Sequence, residues 1–118
     1  MTNQIANDIY NQLGGQKFVA MTGTKGFIWD NDTSELRMTL AKNGSKANRL
    51  YIKYNWTDDT YTMRFFYHRP SHWRIDHKRQ TVTEIPEKVQ EVKQWNHIYC
   101  DQLQELFTET TGMYTRLF

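Results

Sequence analysis

The sequence predicts an α+β domain: a four- to five-stranded antiparallel sheet flanked by a short N-terminal helix and a long C-terminal helix packed on one face. Three patterns carry that reading. Apolar residues recur at four-residue steps in the first thirteen positions, alternate with a period of two between Glu35 and His68, and return to three- and four-residue steps after Pro86. At 118 residues the chain reads as one domain, residues 1–118. A domain of this length buries roughly two-thirds of its unfolded surface, so it needs neither disulfide nor structural metal. Aromatic residues make up 14% of the chain, so the interior is expected to be filled by few but large side chains.

Ile5, Ile9 and Leu13, with Ala6 and Tyr10 beside them, give the first helix an apolar stripe, behind a Thr2 or Asn3 cap. Gly14 and Gly15 end it, because glycine reaches the left-handed conformation without a Cβ clash. Residues 17–21 then read as a short strand. Thr22-Gly23-Thr24-Lys25-Gly26 reads as a turn into a second apolar piece, Phe27-Ile28-Trp29, and Asp30-Asn31-Asp32-Thr33-Ser34 as a chain reversal.

The next three runs alternate as half-buried strands must. Leu36, Met38 and Leu40 oppose Glu35, Arg37 and Thr39. Leu50, Ile52 and Tyr54 oppose Arg49, Tyr51 and Lys53. Tyr61, Met63, Phe65 and Tyr67 oppose Thr60, Thr62, Arg64, Phe66 and His68. The polar connections 42–48 and 55–59 suit hairpins, which makes these strands antiparallel. The stretch His72-Trp73-Arg74-Ile75-Asp76-His77-Lys78-Arg79 has no clear period and reads as an exposed loop or edge hairpin, with a short strand near residues 81–83. Pro86 suits the first turn of a helix. Val89, Val92, Trp95, Tyr99, Leu103, Leu106 and Phe107 then predict one long helix to about Thr111, ~39 Å at ~1.5 Å per residue. Gly112 ends it, and residues 113–118 are expected to fold back as an apolar tail.

The formal net charge of +2 implies no partner by itself, but its distribution is uneven. Residues 42–79 hold nine Lys or Arg against three Asp, net +6, whereas residues 84–109 hold six acids against two Lys, net −4. The lone Cys100 excludes an internal disulfide and, inside the predicted helix, is expected to be a buried small hydrophobe. A reducing compartment follows. With neither a basic leader nor an apolar run of ~20 residues, the chain is expected to be soluble and cytoplasmic, with no membrane partner.

The residues that could carry chemistry mostly have plainer roles. His68, His72 and His77 lie among cations, and His97 with Cys100 lacks a second cysteine, so no metal is expected. A Cys100–His97 pair lacks an orienting acid, Asp58 and Asp59 sit at a hairpin tip, and the Gly23–Gly26 spacing does not fit a phosphate loop. No cofactor and no catalysis are expected. What rises above background is a face on which cations interleave with rings: Arg49, Tyr51, Lys53, Arg64, Phe66 and His68. The basic stretch adds Arg69, His72, Trp73, Arg74, His77, Lys78 and Arg79. Such a surface suits a protein partner, since interfaces favour Tyr, Trp and Arg. It also suits single-stranded nucleic acid, which stacks on rings and neutralises its phosphates on cations. The plainer role is that of rings bracing the sheet beneath solvated cations.

Leu13-Gly14-Gly15, Phe18-Val19-Ala20-Met21-Thr22-Gly23 followed by Lys25 and Phe27, and Leu36-Arg37-Met38-Thr39-Leu40 form a recognisable series. Ser45-Lys46-Ala47-Asn48, Tyr61-Thr62-Met63-Arg64-Phe65, Tyr99-Cys100-Asp101-Gln102-Leu103 and Thr111-Gly112-Met113-Tyr114-Thr115 continue it. In these segments the chain resembles small uncharacterised proteins of phages, prophages and other mobile elements. That resemblance implies an origin in a bacterial host and brings no active site. It implies a non-catalytic accessory protein that binds a host or defence-system protein; the basic aromatic face leaves single-stranded nucleic-acid binding as the alternative, and exposed rings or the long helix leave a monomer or homodimer equally open.

Overall fold

The computed structural model describes residues 4–113, so the Thr2 or Asn3 cap and nearly all of the expected apolar tail lie outside the described residues. Helix α1, Gln4–Leu13, buries Ile9 and Leu13, one turn apart on the predicted stripe. Gly15, at φ 61, closes it by donating its N–H to the Tyr10 carbonyl. The chain then turns into a second helix, α2, Gln16–Thr22, where a strand was expected. The four-residue apolar run Phe18–Met21 fits either period, and the burial of Phe18 and Thr22 on one side decides it here. Gly23 takes the left-handed conformation at φ 69 and caps the helix through its N–H to the Val19 carbonyl, so that Phe18 and Thr22 fall one turn apart and are both buried. The expected turn over residues 22–26 is therefore reduced to Gly23-Thr24, which joins a helix to a strand.

Strands β1 (Lys25–Asp30), β2 (Glu35–Thr39), β3 (Arg49–Asn55) and β4 (Thr60–Arg69) follow in order. Two further strands, β5 (His72–Asp76) and β6 (Thr81–Ile85), form a separate two-stranded sheet. Strand β7, Lys88–Ile98, returns alongside β4, and the main sheet is antiparallel with the order β1-β2-β3-β4-β7. A 3-10 turn, Cys100–Gln102, leads into helix α3, Leu103–Thr111, which Gly112 caps at φ 75.

The long C-terminal helix is thus corrected to a strand and a nine-residue helix. The pairing of β7 with β4 explains why the period misleads. Between Phe65↔Lys93 and Phe66↔Glu91 one extra residue, Val92, is inserted, and between Met63↔Trp95 and Tyr61↔Ile98 another, so β7 carries two bulges. Each bulge advances the inward-facing set by three positions instead of two, and a strand with two of them imitates helical spacing. His97, at φ 55, lies in the second bulge. Cys100 opens the 3-10 turn and is exposed, contrary to the expected burial.

Leu36, Met38, Leu40, Leu50, Ile52, Tyr61, Met63 and Phe65 form one buried cluster with Ile9, Leu13, Phe18, Ile98, Leu103 and Phe107. At its centre the Phe18 and Phe107 rings meet edge to face at 4.8 Å, a preferred aromatic geometry. Trp95 closes its margin, donating its indole N–H to Thr110 Oγ1 while Lys93 Nζ lies 4.4 Å from the ring centroid.

Outside this cluster the β5–β6 hairpin forms an arm. Arg69 pairs with Lys88 and His72 with Ile85, leaving two residues unpaired on each side, and the chain's two prolines, Pro70 and Pro86, sit in these opposed gaps. Proline cannot donate to a ladder, so one long ribbon is divided into a sheet half and an arm half. Pro86, expected to start a helix, instead marks this joint. The seventeen residues Thr60–Asp76 would extend ~56 Å at ~3.3 Å each, comparable to the 55 Å long axis of the molecule. The radius of gyration, 16.8 Å, likewise exceeds the ~13.5 Å of a compact chain of this length. Among the described residues no helix is long and apolar enough to cross a membrane.

Candidate functional site

The register brings the predicted sheet residues together. Arg49 pairs with Phe66 and Tyr51 with Arg64, so Arg49, Tyr51 and Lys53 share a face with Arg64, Phe66 and His68. Arg37 joins them from β2, opposite Tyr51, and Gln94 from β7, opposite Arg64. Of these, Arg37, Tyr51, Lys53, Arg64 and Gln94, together with Thr33, Glu35, Asn55, Thr62 and Asn96, line a shallow concavity of about 460 Å³, and Arg49, Phe66 and His68 lie outside it. Arg37 is the contact that the sequence reading left out, although its place in the alternating run marks it. Gln94 and Asn96 were hidden by the helical reading of β7.

Most groups on this face are already engaged with one another. The Arg37 guanidinium lies 4.8 Å from the Tyr51 centroid, the Tyr51 and Phe66 rings meet edge to face at 4.6 Å, and Arg64 lies 5.7 Å from the Phe66 centroid. Arg37 also donates through Nε to Glu35 Oε1 at 3.0 Å and reaches Asp30 at 2.9 Å. The hydrogen bond to Glu35 is the main reason that its pKa is raised. Phe66 is only 6% exposed, so no base can lie on it. His68 Nε2 lies 2.8 Å from Glu87 Oε1, and Arg49 donates to the Asn48 carbonyl. Lys53 remains exposed. The rings thus brace the sheet, as cross-strand pairs do.

The remaining predicted residues occupy the arm, except Arg69. On one side of the hairpin stand Trp73, Ile75 and Val82, with Glu84 opposite Trp73; on the other stand His72 and Arg74, with Ile85 and Thr83 opposite. Trp73 is 64% exposed, Ile75 60% and Val82 61%. His77, Lys78 and Arg79 form the tip, where Asp76 Oδ1 accepts the backbone N–H groups of Lys78 and Arg79 and Gln80 turns at φ 53. None of residues 70–91 belongs to the buried cluster. Arg69, of opposite strand parity to Arg64 and His68, falls on the other side of β4 and is separated from both surfaces.

The catalytic pairs considered from sequence do not assemble. His97 and Cys100 share no helix, and His97 Nδ1 instead lies 3.3 Å from Asp58 Oδ2. The Asp58 carboxyl, accepting from Thr60 Oγ1 at 2.7 Å and facing His97, is held below its ordinary value. Asp59 Oδ1 accepts the Tyr54 hydroxyl at 2.6 Å, which raises the Tyr54 phenol. Among the described residues no group of three or more His, Cys, Asp or Glu side chains is placed to hold a metal. Comparison with protein-family models, with curated proteins and with solved structures finds no match.

Proposed function

We propose that this chain is a small non-catalytic accessory protein of a phage or mobile element, working in the cytoplasm of a bacterial host, and that it binds a host or defence-system protein through its β-hairpin arm. The observation that carries this reading is the arm's apolar side. Trp73, Ile75 and Val82 stand together in solvent on an element that contributes nothing to the buried cluster. Large exposed apolar groups rimmed by charge are the composition of an interface centre, where Trp and Arg carry a disproportionate share of binding energy. Lys78 and Arg79 at the tip supply a basic rim that favours an acidic partner, while Glu84 stands opposite Trp73 and Arg74 lies on the other side of the hairpin. The sheet face is the secondary surface, with Lys53 and Arg64 as its exposed cations. For it to be free, the three helices must lie together on the opposite side of the sheet, a placement supported by the shared burial of Ile9, Leu13, Phe18, Leu103 and Phe107 with the inward strand residues.

The test is affinity capture from the host followed by direct measurement with the purified partner. Trp73→Ser together with Ile75→Ser should weaken binding at least tenfold while leaving the circular dichroism spectrum unchanged. Equal affinity for the double variant and the wild type would overturn the assignment to the arm.

Single-stranded nucleic acid is the second reading, favoured by the exposed Trp73 ring and the basic tip of the same hairpin. It requires affinity for a mixed-sequence single strand that falls steeply with salt and is lost in Trp73→Ala. No binding at low salt eliminates it.

A further inference from the structure

A second concavity lies on the other side of the β4–β7 ribbon, where the ribbon runs past the buried cluster toward the proline joint. It measures about 380 Å³ and is lined by Lys46, Tyr67, Arg69, Lys88 and Gln90. Tyr67 pairs across the strands with Gln90 and Arg69 with Lys88, so these four side chains share one face. Two cations directly opposite each other on a sheet destabilise it, and Lys46 adds a third. No carboxylate stands among the described lining residues, and the nearby Glu87 is engaged by His68.

Arg69 carries the second observation. Its Nη2 donates to the Pro86 carbonyl at 3.3 Å, but its Nε is shut off from solvent and has no hydrogen-bond partner. A buried guanidinium N–H left unpaired is costly, and a small turn of the Arg69 side chain, which lines the cleft, would let it meet an acceptor held there. The cleft is also held in place. Asn48 donates through Nδ2 to the His68 carbonyl and accepts the His68 N–H on Oδ1, fastening the 43–48 loop to the end of β4. Within that loop Asn43 Nδ2 donates to the Ala41 and Ala47 carbonyls, and the Gly44 N–H donates to the Thr111 carbonyl. Lys46 is therefore presented by an anchored loop, and little ordering entropy remains for a ligand to overcome.

We propose that this cleft binds the phosphate group of a small phosphate monoester. Three cations suit a dianion better than the single charge of a carboxylate, and a guanidinium offers the planar fork that phosphate oxygens match. The volume exceeds that of a bare anion, leaving Tyr67 and Gln90 to meet the esterified group. The proposal is independent of the arm, since it shares no side chain with the Trp73 surface.

The experiment is a thermal melt and an amide NMR titration of the whole chain with inorganic phosphate and with uridine 5′-monophosphate, each against sodium chloride at matched ionic strength. Inorganic phosphate at 10 mM should raise the melting temperature by about 3 °C or more. It should also shift the amides of Tyr67, Arg69 and Gln90, and the monoester should bind at least tenfold more tightly. Arg69→Gln and, separately, Lys46→Gln should abolish both effects, while Lys53→Gln on the opposite face should leave them intact. Lys46 is in an exposed loop, so that variant keeps the test decisive if Arg69→Gln fails to fold. An equal shift with chloride, retained binding in both variants, or equal affinities for phosphate and monoester would overturn the proposal.

Discussion

Tyr61 shows how far one buried polar group ties this molecule to pH. Burial is the largest influence on its phenol and pushes it up to about 12, from an ordinary value near ~10. A group whose folded pKa is raised lends its full stability below the unfolded value and loses it as pH climbs toward the folded one. Stability is therefore expected to fall between about pH 10 and 12. Denaturant midpoints measured across that interval should fall less steeply in Tyr61→Phe than in the wild type. The remaining slope belongs partly to Tyr54, whose phenol is raised by its hydrogen bond to Asp59. Gly44 is a second sensitive residue, for a steric reason. A Cβ there would lie 2.9 Å from the Thr111 carbonyl oxygen, which already accepts the Gly44 N–H at 2.8 Å. Backbone on backbone has little room to give, so Gly44→Ala should cost about 1–3 kcal/mol, measured by equilibrium unfolding. Neither sensitivity is visible in a list of residue types, since both arise from what a distant segment places alongside.

At the scale of elements, the arm and the strand that follows it are the informative parts. A two-stranded hairpin standing alone is marginally stable at best, and this one is held by its own ladder, the Asp76 turn and the flanking contacts of His68 and Arg69 with Glu87 and Pro86. Replacing residues 71–86 with a short glycine-containing turn should accordingly leave the melting temperature within about 3 °C of wild type, because none of that segment is in the buried cluster. A drop several times larger would mean that the arm packs back on the sheet. Strand β7, the outer neighbour of β4, combines two bulges with Lys88 and Lys93. Both devices blunt the outer edge of a sheet against pairing with another chain. The bulges that protect the edge are also what hid the strand, since they break the alternation by which strands are read.

For the molecule as a whole, the sequence determined the α+β class, the N-terminal helix, the three alternating strands with their antiparallel order, and the ending of the last helix at Gly112. These rest on local signals: a period of two or of 3.6, a left-handed glycine, a short polar connection. The face shared by Tyr51, Lys53 and Arg64 was legible for the same reason, because strand alternation survives into the register. Tertiary structure alone decided the rest. It turned residues 16–22 into a helix by burying Phe18 against Phe107, and residues 88–98 into a strand by giving β4 a second neighbour. It also brought Lys46 and Lys88 beside Arg69 on the side of β4 away from Arg64. A short apolar run or a bulged strand satisfies more than one period, and only the partner that covers it in three dimensions chooses among them.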